Sequence, residues 1–331
     1  MSNPIFIARQ DTLENDILPA HWLSQYKLFG EESYTFQDKE IWKKLCMSRA
    51  AANDRDMHAE ALEEMLTTFS AEHTGKWMLL IYGLDAAVLE GLATMAAIAA
   101  NGTAMAAVAG NALLMHAITN SQTAMRAIAN SETAMQRIAN STTAMDAIGG
   151  SKIARDAVQA SPYYDAKIKE NDMAIAKLVV GFANLESARY SGCAGMAADS
   201  TAMTAVAASS TAMTAVAASA TAMGKIAAVD AALSKLAAST TAMDALYARK
   251  KKLNGGSASK SGKFIILEIS QSNAFNTSKY GYATLSDGSK PDWSSYLAKY
   301  AFFQKYPKYA TYMLNDTDSD DYIYYFDITN P

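Results

Sequence analysis

Residues 123–152 read TAMRAIANSE TAMQRIANST TAMDAIGGSK, three successive decapeptides that share most of their letters. The same ten-residue period continues in both directions along the middle of the chain. A fixed period of this kind indicates a repeat architecture and outweighs local signals. One slot of each decapeptide holds Ile, Val or Leu, at Val88, Ile98, Val108, Ile118, Ile128, Ile138, Ile148, Val158, Ile168 and Leu178.

A second apolar slot lies three residues before the first and mostly holds methionine, at Met95, Met105, Met115, Met125, Met135 and Met145. After an irregular segment the two slots return in a new phase, as Met203/Val206, Met213/Val216, Met223/Ile226, Leu233/Leu236 and Met243/Leu246. Extending this second series backwards places Cys193 and Met196 in the same slots. We therefore expect Cys193 to be a small core residue.

The spacing of three residues and the abundance of alanine favour α-helix. A straight helix turns about 100° per residue, so ten residues fall about 80° short of three turns and the apolar stripe rotates around the axis. Asn or Gly followed by Ser or Thr stands at the repeat junctions and suits the end of one short helix and the N-cap of the next. The predicted fold is a mainly α stalk, a superhelix of short helices with one helix per decapeptide. A steep left-handed coiled coil is the alternative.

Composition excludes several classes of protein. The chain has 331 residues, half of them hydrophobic, and a net charge of −4, which argues against a disordered chain and a strongly basic nucleic-acid-binding protein. Cys46 and Cys193 are too few for a disulfide framework, and no basic stretch followed by an apolar run begins the chain. Residues 91–125 and 200–224 lack formal charge, but they are too rich in Ala, Thr and Ser to predict membrane insertion.

The Ser-x-Thr-Ala-Met-x-Ala-Ile/Val-Ala runs resemble Ala/Ser/Thr/Met-rich repeats of bacteriophage tail-fibre and related virion fibre proteins. The resemblance covers the repeats between residues 81 and 250. It implies a virion protein that is made in the host cytoplasm and is a homotrimer. It also implies that the N-terminal part binds a baseplate, tail or capsid protein, and that the C-terminal tip contacts a host-surface glycan or outer-membrane protein.

The chain is accordingly divided into a series of predicted segments. A helical attachment module covers residues 1–80, a first repeat stalk 81–178, a register break or bend 179–192 and a second repeat stalk 193–250. A basic, Gly- and Ser-rich flexible linker follows at 251–262, and an aromatic, β-rich tip at 263–331. The run Arg-Lys-Lys-Lys at 249–252 is interpreted as the basic end of the last helix.

Alternating apolar residues predict strands in the tip at 264–269, 280–285, 309–314 and 322–328, with a turn at 286–291. The last two strands are expected to pair as a hairpin, and residues 294–306 fit helix or strand equally well. Tyr and Trp are effective recognition groups because they combine a large rigid surface with a polar atom. The candidate binding residues are Tyr280, Tyr282, Trp293, Tyr296, Tyr300, Tyr306 and Tyr324.

Asp316, Asp318, Asp320 and Asp327 imitate the ligand spacing of a calcium loop. The sixth position is Asp321 where glycine is needed, so a solvated turn is the default and calcium only a weak alternative. The four histidines have no zinc spacing, and the sequence contains no phosphate-binding glycine loop and no nucleophile elbow. We expect no catalytic residue and no cofactor.

The favoured function is that of a structural and adhesive fibre subunit, in which several weak tips gain avidity on one arm. The first alternative is a capsid, collar or decoration fibre subunit whose tip binds other virion proteins. The second is a glycan-cleaving tip whose acidic residues at 315–321 supply carboxylates; it is less favoured because residues 263–331 make a short domain for such an enzyme.

Overall fold

A computed structural model describes residues 84, 88, 91–92, 94–270, 280–293, 297–316 and 321–331. The described residues contain 16 α-helices and a six-stranded antiparallel sheet. The expectation of a mainly helical protein with a small β part is thus confirmed. The chain divides into two compact units, Met1–Ile168 and Lys169–Pro331. The predicted module at 1–80 lies outside the described residues.

The helices of the first unit are short and follow the decapeptide period. They are α1 (Met95–Ala100), α2 (Gly102–Gly110), α3 (Ala112–Thr119), α4 (Gln122–Ala129), α5 (Glu132–Ala139), α6 (Thr142–Gly150), α7 (Lys152–Gln159) and α8 (Tyr164–Lys167). The axes of α2 and α3 differ by 99° in direction. Each helix from α1 to α5 packs against the helix three places further along the chain. Three decapeptides therefore form one turn of a coil, and successive turns stack.

This stacking buries the two apolar slots inside a single chain. Met135 and Ile138 are fully buried, as are the equivalent residues of α2, α3, α4 and α6. The structure adds two further buried positions, the residue before the methionine, as at Ala134, and the residue after the isoleucine, as at Ala139. The coiled-coil alternative is wrong for the described residues, because none of their helices is longer than 11 residues and the chain bends between helices.

At four repeat junctions of the first unit a serine makes two hydrogen bonds with one hydroxyl. The Oγ of Ser141 accepts a bond from the backbone N–H of Ala144 at 3.1 Å and so caps α6. The same hydroxyl donates to the carbonyl of Ala109, 32 residues earlier, at 2.6 Å. Equivalent inter-turn bonds join Ser131 to Ala99, Ser151 to Thr119 and Ser161 to Ala129. The serine thus caps the helix that follows it and links that helix to the preceding turn of the coil by a hydrogen bond.

Replacing Ser141 with alanine is expected to lower the free energy of unfolding by about 2 kcal/mol. Loss of an N-cap costs about 1 kcal/mol, and the carbonyl of Ala109 is left without its donor. Urea unfolding followed by circular dichroism measures the change. Ser210→Ala is the control, since Ser210 is exposed in the first turn of its helix, and it is expected to change stability by less than about 0.5 kcal/mol. Equal effects of the two substitutions would contradict the double role of the junction serine.

The second unit continues the same rule of packing. Its helices are α9 (Asp172–Phe182), α10 (Cys193–Ala198), α11 (Ser200–Ala208), α12 (Ser210–Ala218), α13 (Ala220–Ala227), α14 (Asp230–Ala237) and α15 (Thr240–Ala248). Each of α9 to α12 packs against the helix three places further on. Cys193 and Met196 are fully buried, as the repeat predicts. Burial raises the pKa of the Cys193 thiol well above its ordinary value, so it stays protonated.

Residues 183–192 interrupt the repeat with a left-handed residue, Asn184 (φ 56°), and one 3-10 turn, Ser187–Arg189. The predicted boundary between 178 and 179 is wrong, because α9 runs unbroken from Asp172 to Phe182. Two carboxylates beside the break cap later helices. Asp172 accepts from the N–H of Cys193 at 3.1 Å, and Glu170 from those of Ala220 and Thr221 at 3.1 and 2.8 Å.

The second unit ends in the antiparallel sheet. Its strands are β1 (Lys251–Asn254), β2 (Ala258–Ser270), β3 (Tyr280–Leu285), β4 (Asp292–Trp293), β5 (Ala310–Asp316) and β6 (Tyr322–Asp327), in the order β1-β6-β2-β5-β3-β4. The short helix α16 (Ala301–Lys305) lies between β4 and β5 in sequence. One face of the sheet forms a core with Phe302 of α16, and includes Phe264, Ile266, Met313, Ile323 and Tyr325.

Two predictions for this region are wrong. Residues 251–262 are not a flexible linker, because β1 pairs with β6 and the first part of β2 pairs with β5. The strands at 310–316 and 322–327 do not form a hairpin, because β2 lies between them. The length of β2 explains both results: its 13 residues pair with β5 through their first half and with β6 through their second.

In the described residues no single helix is long and apolar enough to cross a membrane. Two consecutive pairs, α2 with α3 and α11 with α12, reach the required length and composition only jointly, and they are bent by 99° and 101°.

Candidate binding surface

The sheet is attached to the last helix of the repeat through Tyr247 of α15. The Tyr247 hydroxyl donates to Oε2 of Glu268 in β2 at 2.6 Å. The rings of Tyr300 and Tyr324 meet the Tyr247 ring edge-on, with centroids 5.8 and 5.9 Å away. Burial, followed by the hydrogen bond to Glu268, raises the pKa of Tyr247, so the phenol remains a donor. This contact holds β2 and β6 against α15.

Two aspartates of the helices complete the attachment. Asp244 of α15 accepts from the hydroxyl of Tyr300 and from Nζ of Lys299, the latter at 3.1 Å. Asp230 of α14 pairs with Nζ of Lys308 at 2.7 Å. We call this group of contacts the helix–sheet joint. Its residues are Tyr247, Glu268, Asp244, Tyr300, Lys299, Asp230 and Lys308. It makes the sheet a continuation of the helical part of the second unit.

Tyr300→Phe is expected to raise the pKa of Asp244 toward its ordinary value. The bond from Tyr300, and then that from Lys299, hold the pKa of this carboxyl below its ordinary value in the folded protein. A carboxyl group whose pKa is lower in the folded than in the unfolded state stabilises the fold. The contribution is fully present at pH values above the unfolded pKa of about 3.9, and it is lost as the pH falls through the lower folded pKa. A carbon-detected NMR titration of the Asp244 carboxyl measures the shift. An unchanged pKa in the variant would contradict the bond.

The basic run at 249–252 is divided between two faces. Arg249 and Lys251 lie by the end of the chain, where Arg249 contacts the carbonyl of Pro331 and Lys251 lies 3.5 Å from Asp327. Lys250 and Lys252 contact tyrosine rings instead. The ammonium of Lys250 is 4.1 Å from the ring centroid of Tyr247, and that of Lys252 is 4.8 Å from the ring of Tyr322. The predicted helix end is corrected, since α15 ends at Ala248 and Lys251 begins β1.

The predicted aromatic residues occupy different environments. Trp293 is buried over Gly281 and against Phe302, with ring centroids 5.6 Å apart, and Tyr300 is buried in the helix–sheet joint. Tyr306 packs on Phe302 at 5.1 Å and is half-buried. These three residues serve packing within the unit.

Tyr282 and Tyr324 keep part of their surface accessible. The Tyr282 ring lies 5.7 Å from that of Tyr312 on the sheet face opposite the core. The Tyr324 ring lies 4.5 Å from that of Tyr322. Of Tyr280 only the backbone, in β3, is described, and Tyr296 lies outside the described residues.

The aspartates of the weak calcium alternative are not brought together where the structure describes them. Asp316 ends β5 and accepts a bond from Ser257, whereas Asp327 ends β6 and accepts from Thr329 and Asn330. Because Phe264 pairs with both Ala310 and Asp327, Asp327 is level with the other end of β5, roughly 20 Å along the strand from Asp316. Asp318 and Asp320 lie outside the described residues. Within the described ranges, no three His, Cys, Asp or Glu side chains could hold a metal ion.

The first unit carries a shallow groove of about 420 Å³ between α4 and α7. It is lined by Arg126, Asp156 and Ile153, and the last is 42% exposed. The groove contains none of the predicted binding residues.

Sequence reasoning missed Tyr247, Lys250, Lys252 and Tyr322 as members of one surface. A partial signal was present, because Lys250/Lys252 and Tyr322/Tyr324 have the spacing of two that places side chains on one face of a strand. The pairing of β1 with β6 brings the two sets together, and that pairing was hidden by the linker interpretation. The chain matches no protein-family model, and no curated protein matches it at a significant level.

Proposed function

We propose that the chain is a structural and adhesive subunit of a bacteriophage fibre, without enzymatic activity. The resemblance of the decapeptides to virion fibre repeats is the observation that carries this proposal. The burial of the two apolar slots within one chain supports it, because such a coil can be extended by adding decapeptides without forming a new core. The repeats would then act as a spacer between two binding ends.

In this proposal residues 1–80 attach the subunit to a baseplate, tail or capsid protein of the virion. The β part at its other end contacts a host-surface glycan or outer-membrane protein. The half-exposed tyrosines of the sheet, including Tyr282 and Tyr324, support the second role because aromatic side chains give large contact areas at little entropic cost.

The proposed homotrimer would need contacts other than the two apolar slots. Met135, Ile138 and their equivalents are fully buried against neighbouring turns of the same chain. A trimer of a 35.5 kDa chain is measured by sedimentation equilibrium of the full protein. A monomer at all concentrations would contradict this part of the proposal.

Gold-labelled antibody against residues 251–331 tests the proposed location. It is expected to decorate the outer ends of projecting fibres on virions that carry this protein. A label on the capsid or collar would favour the alternative in which the β part binds other virion proteins. Virions without label would contradict both assignments.

A further inference from the structure

Two lysines, one just before β1 and one in it, lie with two tyrosines of β6 beside the helix–sheet joint. Lys252 pairs with Tyr324 in the strand register, and Asn254 with Tyr322. The ammonium of Lys252 lies 4.8 Å from the Tyr322 ring, and that of Lys250 lies 5.2 Å from the Tyr324 ring. The two rings are 4.5 Å apart and inclined by 50°. We call these four residues the lysine–tyrosine row.

The two lysines of this row differ from neighbouring lysines, which form ion pairs with carboxylates. Lys251, Lys299 and Lys308 form ion pairs with Asp327, Asp244 and Asp230. Among the residues that the structure describes, no carboxylate pairs with Lys250 or Lys252, and both are exposed. A cation–π contact at an exposed site contributes only about 0.5–1 kcal/mol, so both ammonium groups remain available to an anion.

We propose that the lysine–tyrosine row binds an acidic saccharide, a chain of sugar rings that carries carboxylate groups. The two ammonium groups would pair with the carboxylates, while the half-exposed tyrosines supply hydroxyl groups and ring edges to the sugar. Charge complementarity is the basis of this assignment. The inference rests on the proposed adhesive function, and it names the ligand class and the residues.

The arrangement of the rings favours a saccharide over a single-stranded nucleic acid. In proteins that bind single-stranded nucleic acid, the bases stack on open faces of aromatic side chains. Here each ring already has an ammonium group near it, and the two rings are inclined to each other rather than forming a flat platform. A saccharide that meets ammonium groups, hydroxyls and ring edges needs no such platform.

The test compares the full chain with the double variant Lys250→Gln/Lys252→Gln in binding to labelled polygalacturonate at low ionic strength. Each lost charged hydrogen bond is expected to cost about tenfold in affinity, so the double variant should bind about a hundredfold more weakly and with a smaller dependence on salt. The matched control is Lys235→Gln/Lys290→Gln, which removes the same charge from α14 and the turn after β3. Tyr322→Phe/Tyr324→Phe tests the hydroxyl groups, and equal unfolding temperatures show that the variants fold.

Selective loss in the Lys250/Lys252 variant, with no binding of neutral dextran, supports the proposal. Equal loss in both lysine variants, no binding of polygalacturonate by the unaltered chain, or tighter binding of an oligo-dT of equal charge would overturn it. The proposed function is tested by a separate measurement, the adhesion of the chain to bacterial cells. Adhesion that the double variant retains would leave the function standing and contradict this site.

Discussion

Met135→Asp is expected to unfold the helical coil of the first unit. Met135 is fully buried between turns, and its replacement removes the methionine packing and places a carboxyl group where no water reaches it. Truncating a buried methionine costs 2–5 kcal/mol, and burial of the polar group adds to this, for a total of at least about 4 kcal/mol. That loss is comparable with the whole stability of many domains.

Hydrogen exchange followed by mass spectrometry measures the effect, because it reports protection in peptides from α1 to α7. Gln136→Asp is the matched control, because it introduces the same aspartate at the neighbouring position. The equivalent slots of the adjacent decapeptides hold Arg126 and Asp146, and Arg137 beside it is exposed. The control is expected to keep its protection. Protected α4 and α5 in Met135→Asp would show that this slot is not in the core.

Gly281→Ala is expected to destabilise the sheet by about 2–3 kcal/mol, as overpacking of a close contact does. A β-carbon at residue 281 would lie 2.3 Å from Nε1 of Trp293, and other atoms of the indole are equally close. Trp293 cannot move away freely, because its ring also packs against Phe302 in the core. Differential scanning calorimetry of the full chain measures the loss.

Gly224→Ala should have the opposite sign. Gly224 lies inside α13, and a β-carbon there meets nothing within 4 Å. Alanine stabilises a helix interior by about 0.5–1 kcal/mol relative to glycine. No loss of stability in Gly281→Ala would contradict the close contact with Trp293, and a loss in Gly224→Ala would contradict the open space around Gly224.

The repeat made most of the helical fold predictable, because its slots recur often enough to fix the helix length and the buried positions. Asn-Ser junctions located the N-caps, as at Ser131 and Ser141. The number of helices per turn was not predictable, because it depends on the bend of about 100° between helices and on contacts 32 residues apart. The inter-turn hydrogen bonds of junction serines such as Ser131 and Ser141 follow from the same stacking.

In the sheet, local sequence patterns predicted most of the strands but not their partners or their burial. Strand positions were predicted well at 280–285, but the partner of each strand was not, because pairing depends on the long β2. Lys251 and Lys252 have the composition of a linker and nevertheless form an edge strand, held by Tyr324 and Tyr325 across the ladder. Trp293 and Tyr300 were proposed as binding residues because a sequence does not distinguish a buried aromatic residue from an exposed one.

The most direct test of the account is a disulfide between residues 102 and 133. A β-carbon at Gly102 would lie 3.6 Å from Cγ2 of Thr133, so the side chains at these two positions are in contact in the stacked coil, as a disulfide requires. In one continuous helix the same residues would be about 46 Å apart. The variant Gly102→Cys/Thr133→Cys, oxidised at low concentration and mapped by mass spectrometry, is predicted to form a bridge within a single chain. Thiols that stay reduced, or bridges only between chains, would contradict the three-helix turn.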